Sequence, residues 1–136
     1  MSALAFRWLK FNAVGAIGIA VQLAVLAFLN KALGMSYLAA TGCAVEAAVL
    51  HNFLWHERFT WKDRSGGGPR AAAVRLVRFH AGNGLISILG NLLLMRFLVG
   101  MLHWRVLIAN AVTIAACSLL NFAAGEWFVF RRPRVG

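Results

Sequence analysis

The chain has 136 residues, of which 61% are hydrophobic and 13% charged. This excludes an ordinary soluble domain, in which about 45–50% of residues are apolar. Fourteen Lys and Arg against four Asp and Glu give a net charge of +10. Because the basic residues lie between apolar runs and not along one face, we also exclude nucleic acid as a partner. The charge indicates orientation in a membrane and contact with membrane lipids.

Four apolar runs are predicted to cross the membrane as helices, because each is long enough to span the hydrocarbon layer. The first run is not typical of a signal peptide, since it is long and no small-residue cleavage site follows it. The second is interrupted by Glu46, His51 and Asn52. Tight turns at residues 30–36 and 100–104 join the members of each pair. The runs are residues 11–29, 37–55, 79–99 and 105–124.

A hydrophilic connection, residues 56–78, separates the two pairs of runs and carries six basic residues. Its glycine-rich centre, residues 65–69, predicts a flexible hinge with no helix signal. The head, this connection and the tail at residues 131–134 together carry eleven Lys and Arg, whereas the opposite side carries three. By the positive-inside rule, both termini and the connection are expected in the cytoplasm.

All five tryptophans lie at or just beyond the ends of predicted spans. Aromatic side chains are enriched at membrane interfaces, so we interpret most of them as anchors. They are Trp8, Trp55, Trp61, Trp104 and Trp127.

Two stretches resemble each other 69 positions apart. The matching pairs are Asn52 with Asn121, Phe53 with Phe122, Glu57 with Glu126, Phe59 with Phe128 and Trp61 with Phe130. Residues 7–11 likewise resemble residues 75–79. These patterns predict an all-α integral membrane protein with four transmembrane helices arranged as two parallel two-helix repeats, related by an axis along the membrane normal. The predicted single domain covers residues 1–136, with repeat 1 at about 7–61, the basic cytoplasmic loop at about 62–74 and repeat 2 at about 75–130.

Polar side chains inside the apolar runs are informative about function, because a polar group at membrane depth is costly. The third and fourth runs each carry a polar stripe with helical spacing. The stripes are His80, Asn83, Ser87 and Asn91 on the third run, and Asn110, Thr113, Cys117 and Asn121 on the fourth. Two such stripes predict a polar seam or cavity between facing helices. Hydrogen bonding between helices, with no ligand, is the alternative.

Glu46 lies near the middle of the second run, where a charge costs roughly 2.5–3.5 kcal/mol on insertion scales. We expect its carboxyl group to be protonated or paired. Two interpretations stay open: a neutral carboxyl that donates a hydrogen bond within the bundle, or a proton-coupled or substrate-sensing site. Glu57 and Glu126 lie beside basic residues and are expected to pair with them.

Basic residues cluster at the predicted cytoplasmic interface. The presence of any single one of them is explained by its role in setting membrane orientation and by contact with lipid head groups. Together they are suited to hold a lipid phosphate, which Arg binds well through paired donors. The candidates are Arg7, Lys10, Arg58, Arg75, Arg78 and Arg131.

The ordered set of motifs resembles the GtrA-like membrane protein family. The resemblance rests on Phe11-x-x-Val14-Gly15 at the start of the first span, on Asn52-Phe53 followed by residues 58–61, and on the second copy at residues 121–130. It implies a role in polyprenyl-phosphate-linked sugar metabolism at the bacterial cytoplasmic (inner) membrane. Members are thought to move a lipid-linked monosaccharide across this membrane, or to assist the membrane glycosyltransferase that makes it. The chain departs from the usual pattern at His56, Gly125 and Trp61 and in carrying Glu46, which bears on the substrate more than on the fold.

The leading hypothesis is a multi-pass flippase for a lipid-linked sugar. The basic cluster would capture the phosphate and the polyprenyl tail would stay in lipid. No phosphate-cradling motif indicates ATP hydrolysis, and we expect no cofactor, no metal site and no enzymatic activity. The sugar would enter a seam formed by Asn52, Asn83, Asn91 and Asn121, with Glu46, Glu57 and Glu126 as acidic members.

Two other functions remain open. One is a non-transporting adaptor that anchors or regulates a membrane glycosyltransferase through the basic loop and tail. The other is a small drug/proton exporter, suggested by four spans and a membrane carboxylate at Glu46. A homo-oligomer is also expected, because four spans enclose little volume.

Overall fold

All regular secondary structure in the described part of the chain is helical. The computed structural model describes residues 2–132, except for the side chains of Tyr37, Leu38, Ile88, Val106, Leu107 and Asn110. The all-α prediction is therefore confirmed for this range, while Pro133 and Arg134 of the predicted basic tail lie outside it. The four long helices are α1 (Ala3–Ala27), α2 (Tyr37–Trp55), α3 (Gly68–Met95) and α4 (Val106–Ala124).

Three helical stretches within the described residues are long and apolar enough to cross a membrane: Ala3–Ala32, Gly68–Met101 and Ala111–Val129. They correspond to the first, third and fourth predicted spans. The helix of the second predicted span forms as α2 but is not among them. Glu46, His51 and Asn52 lower the mean hydropathy of that helix.

α3 begins earlier than its apolar run suggests. We expected residues 65–69 to be a hinge, yet the helix starts at Gly68 and has Pro69 in its first turn. Gly67 and Gly68 have φ angles of 91° and 77°, in the left-handed region that glycine tolerates. Proline suits a first helical position because its missing N–H is not needed there. These residues therefore start a helix, and hydropathy alone located only its membrane part.

Each long helix ends in a π-helical turn, in which a backbone N–H donates to the carbonyl five residues earlier. Leu33 N–H donates to Phe28 O at 3.2 Å, and Leu102 N–H to Phe97 O at 3.0 Å. Trp61 N–H donates to His56 O, and Phe130 N–H to Gly125 O, both at 2.9 Å. The two bonds of each pair lie 69 positions apart. The turns are Phe28–Ala32, His56–Thr60, Arg96–Met101 and Gly125–Val129.

The chain divides into two compact units, one ending at Ser65 and the other beginning at Gly66. In the first unit α1 packs against α2, and in the second α3 packs against α4. The buried residues of α2 recur on α4 at the same 69-residue interval. The pairs are Ala40 with Ala109, Ala44 with Thr113, Ala48 with Cys117 and Phe53 with Phe122. Small side chains at three of these four pairs let the backbones of each hairpin approach closely. Whether both units form one domain stays a prediction.

The α1–α2 contact makes a testable distinction between two glycines of α1. A Cβ atom at the buried Gly18 would collide with the side-chain amide of Asn52, whereas a Cβ at Gly15 would meet nothing within 4 Å. We expect Gly18→Ala to lower the free energy of unfolding by about 1–3 kcal/mol through overpacking. Gly15→Ala, the matched control, should be neutral or stabilising. Equilibrium unfolding in mixed micelles checks this, and equal behaviour of the two variants would contradict the packing.

Candidate functional site

A basic pocket of about 690 Å³ lies in the first unit. The first turns of α1, the π turn after α2 and the short 3₁₀ turn Lys62–Arg64 contribute to its lining. Its charged lining residues are Arg7, Lys10, Arg58, Lys62 and Asp63, and Phe6 and Phe59 add aromatic walls. Four cations against one carboxylate make the pocket suited to an anion.

Lys10 is fixed within this basic pocket by aromatic rings. Its Nζ lies 4.6 Å from the ring centroid of Phe6 and 4.6 Å from that of Phe59. The same Nζ is 3.4 Å from the backbone carbonyl of Phe59, to which it donates. Cation–π contacts of this kind contribute roughly 0.5–1 kcal/mol at exposed sites. The Lys10 charge is therefore held in place before any ligand binds.

A buried aromatic cluster holds the π turn after α2 against α1. The His56 ring stacks on Phe11 at 4.9 Å between centroids and meets Trp61 edge-on at 5.3 Å. His56 Nδ1 and Thr60 Oγ1 share a hydrogen bond of 3.0 Å. Trp61 is fully buried and His56 is 1% exposed. Since Arg58 and Phe59 lie between these anchors, the cluster positions two pocket residues.

The cluster corrects one part of the sequence interpretation. Trp8, Trp55, Trp104 and Trp127 are exposed, as membrane-interface anchors would be, but Trp61 lies in the core. Its position beyond the apolar run suggested the interface. The sequence signal for burial was the match of Trp61 to the apolar Phe130 in the repeat, and Phe130 is also fully buried.

The second unit uses its basic residues differently. Arg75 is buried, and its Nη1 donates to the backbone carbonyl of Gly66 at 2.9 Å. Arg78 lies over the Phe128 ring, 5.8 Å from its centroid. Arg131 is exposed, whereas Glu126 is 4% exposed. The side chains of Arg75 and Arg78 are therefore bound by other groups of the second unit.

Polar residues of the third and fourth predicted spans form hydrogen bonds within the second unit. Asn121 Nδ2 donates to Ser87 Oγ at 3.3 Å, joining α4 to α3. Asn91 Nδ2 donates to the Ser87 carbonyl at 2.6 Å. Asn121 Oδ1 and the hydroxyl of Thr113 are buried with no hydrogen-bond partner among the described residues. The seam thus offers a buried acceptor and a buried hydroxyl that the described part of the protein leaves unsatisfied.

Comparison with known proteins identifies the family. The family model described as "GtrA/DPMS, transmembrane domain" matches residues 10–130, which is most of the chain. The protein belongs to the GtrA/DPMS transmembrane-domain family. No curated protein matches the chain. Membership, together with the long apolar helices, shows a multi-pass membrane protein related to the handling of lipid-linked sugars.

In this GtrA/DPMS-family chain, the predicted site residues are distributed over both units. Arg7, Lys10 and Arg58 meet in the basic pocket with Lys62, a residue that sequence reasoning missed. The remaining candidates are Arg75, Arg78, Arg131, Asn83, Asn91, Asn121 and Glu126 in the second unit, and Asn52, Glu46 and Glu57 in the first. Their assignment to phosphate and sugar stays a prediction. Lys62 lies shortly after Arg58 in the sequence, so proximity along the chain was the available signal.

Three of the first-unit candidates have defined surroundings. Asn52 packs against Gly18, and its Oδ1 lies 3.1 Å from His51 Nδ1. Glu46 is exposed on α2, and Glu57 is half-buried in the π turn. Asn52 is therefore a helix-contact residue, which keeps the interpretation of interhelical bonding open beside that of sugar binding.

Burial also predicts a pH dependence of stability. His56 lies beyond the second predicted span, and its burial, with a smaller effect of His51, lowers its pKa from 6.5 to about 3. Below about pH 6.5 the unfolded chain therefore binds a proton at His56, whereas the folded chain binds this proton only below about pH 3. The free energy of unfolding should fall by about 2 kcal/mol between pH 7 and pH 5.

A variant without the titrating ring tests this directly. His56→Phe should remove that slope in unfolding curves measured across the same pH range. His51, His80 and His103 remain in the variant, so they serve as internal controls. Identical slopes for the wild type and His56→Phe would show that His56 is not buried in its neutral form.

Proposed function

We propose that the protein translocates a polyprenyl-phosphate-linked monosaccharide across the bacterial cytoplasmic membrane for modification of cell-envelope polysaccharide. Family membership supports the class of substrate. The observation that carries the proposal is the convergence of Arg7, Lys10 and Arg58 in one pocket at the ends of α1 and α2. Arginine pairs two guanidinium donors with two phosphate oxygens, so this pocket suits the anionic part of such a lipid.

The proposed topology has four spans in two parallel repeats, with both termini and the basic loop in the cytoplasm. The positive-inside distribution supports the orientation. The repeated π-turn hydrogen bonds and buried positions support the repeats. The outer turns support them as well, because Gly34 and His103, again 69 positions apart, have φ angles of 66° and 55°. In this arrangement the basic pocket faces the cytoplasm, where the lipid-linked sugar is presented.

In the proposed mechanism the phosphate binds at the basic pocket and the polyprenyl tail remains in lipid. The sugar passes through the polar seam, where Asn121 Oδ1 is available to accept a bond from a sugar hydroxyl. Asn83 and Asn91 of the same unit are further polar groups assigned to the sugar, and Asn52 is the polar group assigned to it in the first unit. Glu46 would couple movement to protons if transport is not passive. The mechanism contains no catalytic step and requires no cofactor.

The test of this mechanism is flipping in proteoliposomes. A fluorescent short-chain polyprenyl-phosphate-glucose is reconstituted with purified protein, and its exposure at the outer leaflet is followed with an impermeant reagent. Replacing both Asn52 and Asn121 by Ala should slow exposure by roughly thirtyfold, because each replacement loses about 1 kcal/mol of hydrogen bonding to the passing sugar.

Asn12→Ala is the matched control for this pair. Asn12 Nδ2 donates to the Trp8 carbonyl of its own helix at 2.8 Å, and Asn12 was not assigned to the seam. Its replacement should leave the flipping rate unchanged. Equal slowing by Asn12→Ala and by the double variant would show that the seam has no special role.

The adaptor function is the second candidate, and the length of α3 favours it. This helix has 28 residues, so it is about 42 Å long, longer than the hydrocarbon layer of about 30 Å. Its first turns, with the exposed Arg70, would extend beyond the membrane and offer a docking surface to a glycosyltransferase. An adaptor predicts that an Arg70→Glu variant loses a co-purifying glycosyltransferase while the Asn52 and Asn121 replacements do not.

A further inference from the structure

The same type of cation–π contact occurs at the basic end of each unit. In the first unit Lys10 lies over the Phe59 ring, and in the second Arg78 lies over the Phe128 ring. Phe59 and Phe128 are 69 positions apart, and Lys10 and Arg78 belong to the matching segments 7–11 and 75–79. The buried residues Phe11 and Phe79 confirm this alignment, since they are 8% and 4% exposed. The basic ends of the units can therefore be compared residue by residue.

The first difference is between Arg7 and its counterpart Arg75. Arg7 lines the basic pocket, half-exposed. Arg75 is 9% exposed and donates to the backbone carbonyl of Gly66, just before α3 begins. A guanidinium that is buried and bound to the backbone holds the entry of the helix in place. Arg75 is thus a structural residue, whereas Arg7 faces a pocket.

The second difference lies in the turns that follow α2 and α4. Arg58, which lines the pocket, corresponds to Trp127, which is 64% exposed. Thr60, also in the lining, corresponds to the apolar Val129. The second unit therefore lacks one cation and one hydroxyl at the positions where the first unit forms its pocket.

We infer that each chain binds one phosphate group, that Arg7, Arg58 and Lys62 of the first unit hold it beside the fixed charge of Lys10, and that the matching end of the second unit is structural. This inference rests on the proposed function for the nature of the ligand. Phe6 and Phe59 line the same pocket, so the phosphate it takes is one that carries a hydrocarbon chain. Asp63, the acid in the lining, lies 3.8 Å from Arg64 Nε, which offsets its repulsion of the phosphate.

The inference is tested by binding and not by transport. Farnesyl phosphate is titrated into the protein in neutral detergent, and affinity and stoichiometry are measured by calorimetry. We expect one site per chain. Arg7→Gln combined with Arg58→Gln should weaken binding about a hundredfold or more, as expected for the loss of two charge-assisted contacts. Arg70→Gln with Arg132→Gln removes the same charge from exposed positions outside the pocket and should change affinity less than about threefold.

Arg78 and Arg131 of the second unit, which correspond to Lys10 and Lys62 of the first, give the decisive comparison. Equal weakening by Arg78→Gln with Arg131→Gln, or two sites per chain, would overturn the inference. Circular dichroism and gel filtration establish folding of every variant.

Because Lys62 is exposed, Lys62→Gln is a milder variant that should fold and still weaken binding about threefold. An unchanged affinity in this variant would count against the site.

Two further ligands identify the source of the phosphate. Inorganic phosphate binding as tightly as farnesyl phosphate would overturn the requirement for a lipid. Dihexanoyl phosphatidylglycerol binding equally well would support a lipid-phosphate site open to ordinary membrane lipids. Binding through the first unit without flipping in vesicles would leave this inference standing and remove the proposed function. A flipping rate that is unchanged by Arg7→Gln with Arg58→Gln would remove this inference and leave the proposed function standing.

Discussion

Trp61→Ala is expected to lower the free energy of unfolding by about 3–5 kcal/mol, a large part of the total stability of a domain. The indole is fully buried and contacts His56 and Phe11 with centroid distances of 5.3 and 6.1 Å. Its removal leaves a cavity at the point where the π turn after α2 meets α1. Equilibrium unfolding in mixed micelles measures the loss.

Trp55→Ala is the matched control for this substitution. Trp55 lies six positions earlier and is 50% exposed, so its removal should change the free energy of unfolding by less than about 1 kcal/mol. Trp61→Phe should retain most of the stability, because the second unit has the fully buried Phe130 at the matching position. Equal losses for Trp55→Ala and Trp61→Ala would contradict the buried cluster.

Reversing the charge of the basic pocket is expected to abolish flipping. Arg7→Glu with Arg58→Glu replaces two donors by two carboxylates that repel a phosphate. Because hydrogen bonds to charged groups contribute about 1.5–3 kcal/mol each, the loss exceeds about a hundredfold in affinity. The flipping rate, measured with substrate below saturation, should then fall to that of protein-free vesicles.

The control for charge reversal carries the same change elsewhere. Arg70→Glu with Arg132→Glu alters net charge equally at exposed positions, and so tests for effects on membrane orientation. It should retain flipping. If both double variants are inactive and both insert normally, the pocket is not the phosphate site and the basic residues act collectively.

The helices could be predicted from sequence because apolar length is a direct physical requirement for crossing a bilayer. The starts of α1 and α3 could not be located from apolar length, since Ala3 and Gly68 lie outside the apolar runs and are fixed by local capping. The hydroxyl of Ser2 accepts a bond from Ala5 N–H at 3.2 Å, and Pro69 opens α3. Hydropathy contains neither signal.

The sequence predicted that the candidate site consists of basic residues, but not which of these residues lie together. The charge pattern selected basic residues near the predicted interface, and Arg7, Lys10 and Arg58 do share a pocket. Arg75 has the same residue type and the same place in the repeat as Arg7, yet it is buried against the backbone. The difference depends on tertiary contacts of the Gly66 carbonyl, and no periodicity in the sequence reports it.

Transport is tested by the rate at which wild-type protein exposes a fluorescent polyprenyl-phosphate-glucose at the outer leaflet of proteoliposomes. The proposal predicts a rate well above that of protein-free vesicles and proportional to the amount of protein reconstituted. No acceleration by protein shown to be folded, together with a glycosyltransferase that co-purifies with it, would contradict transport and establish the adaptor in its place.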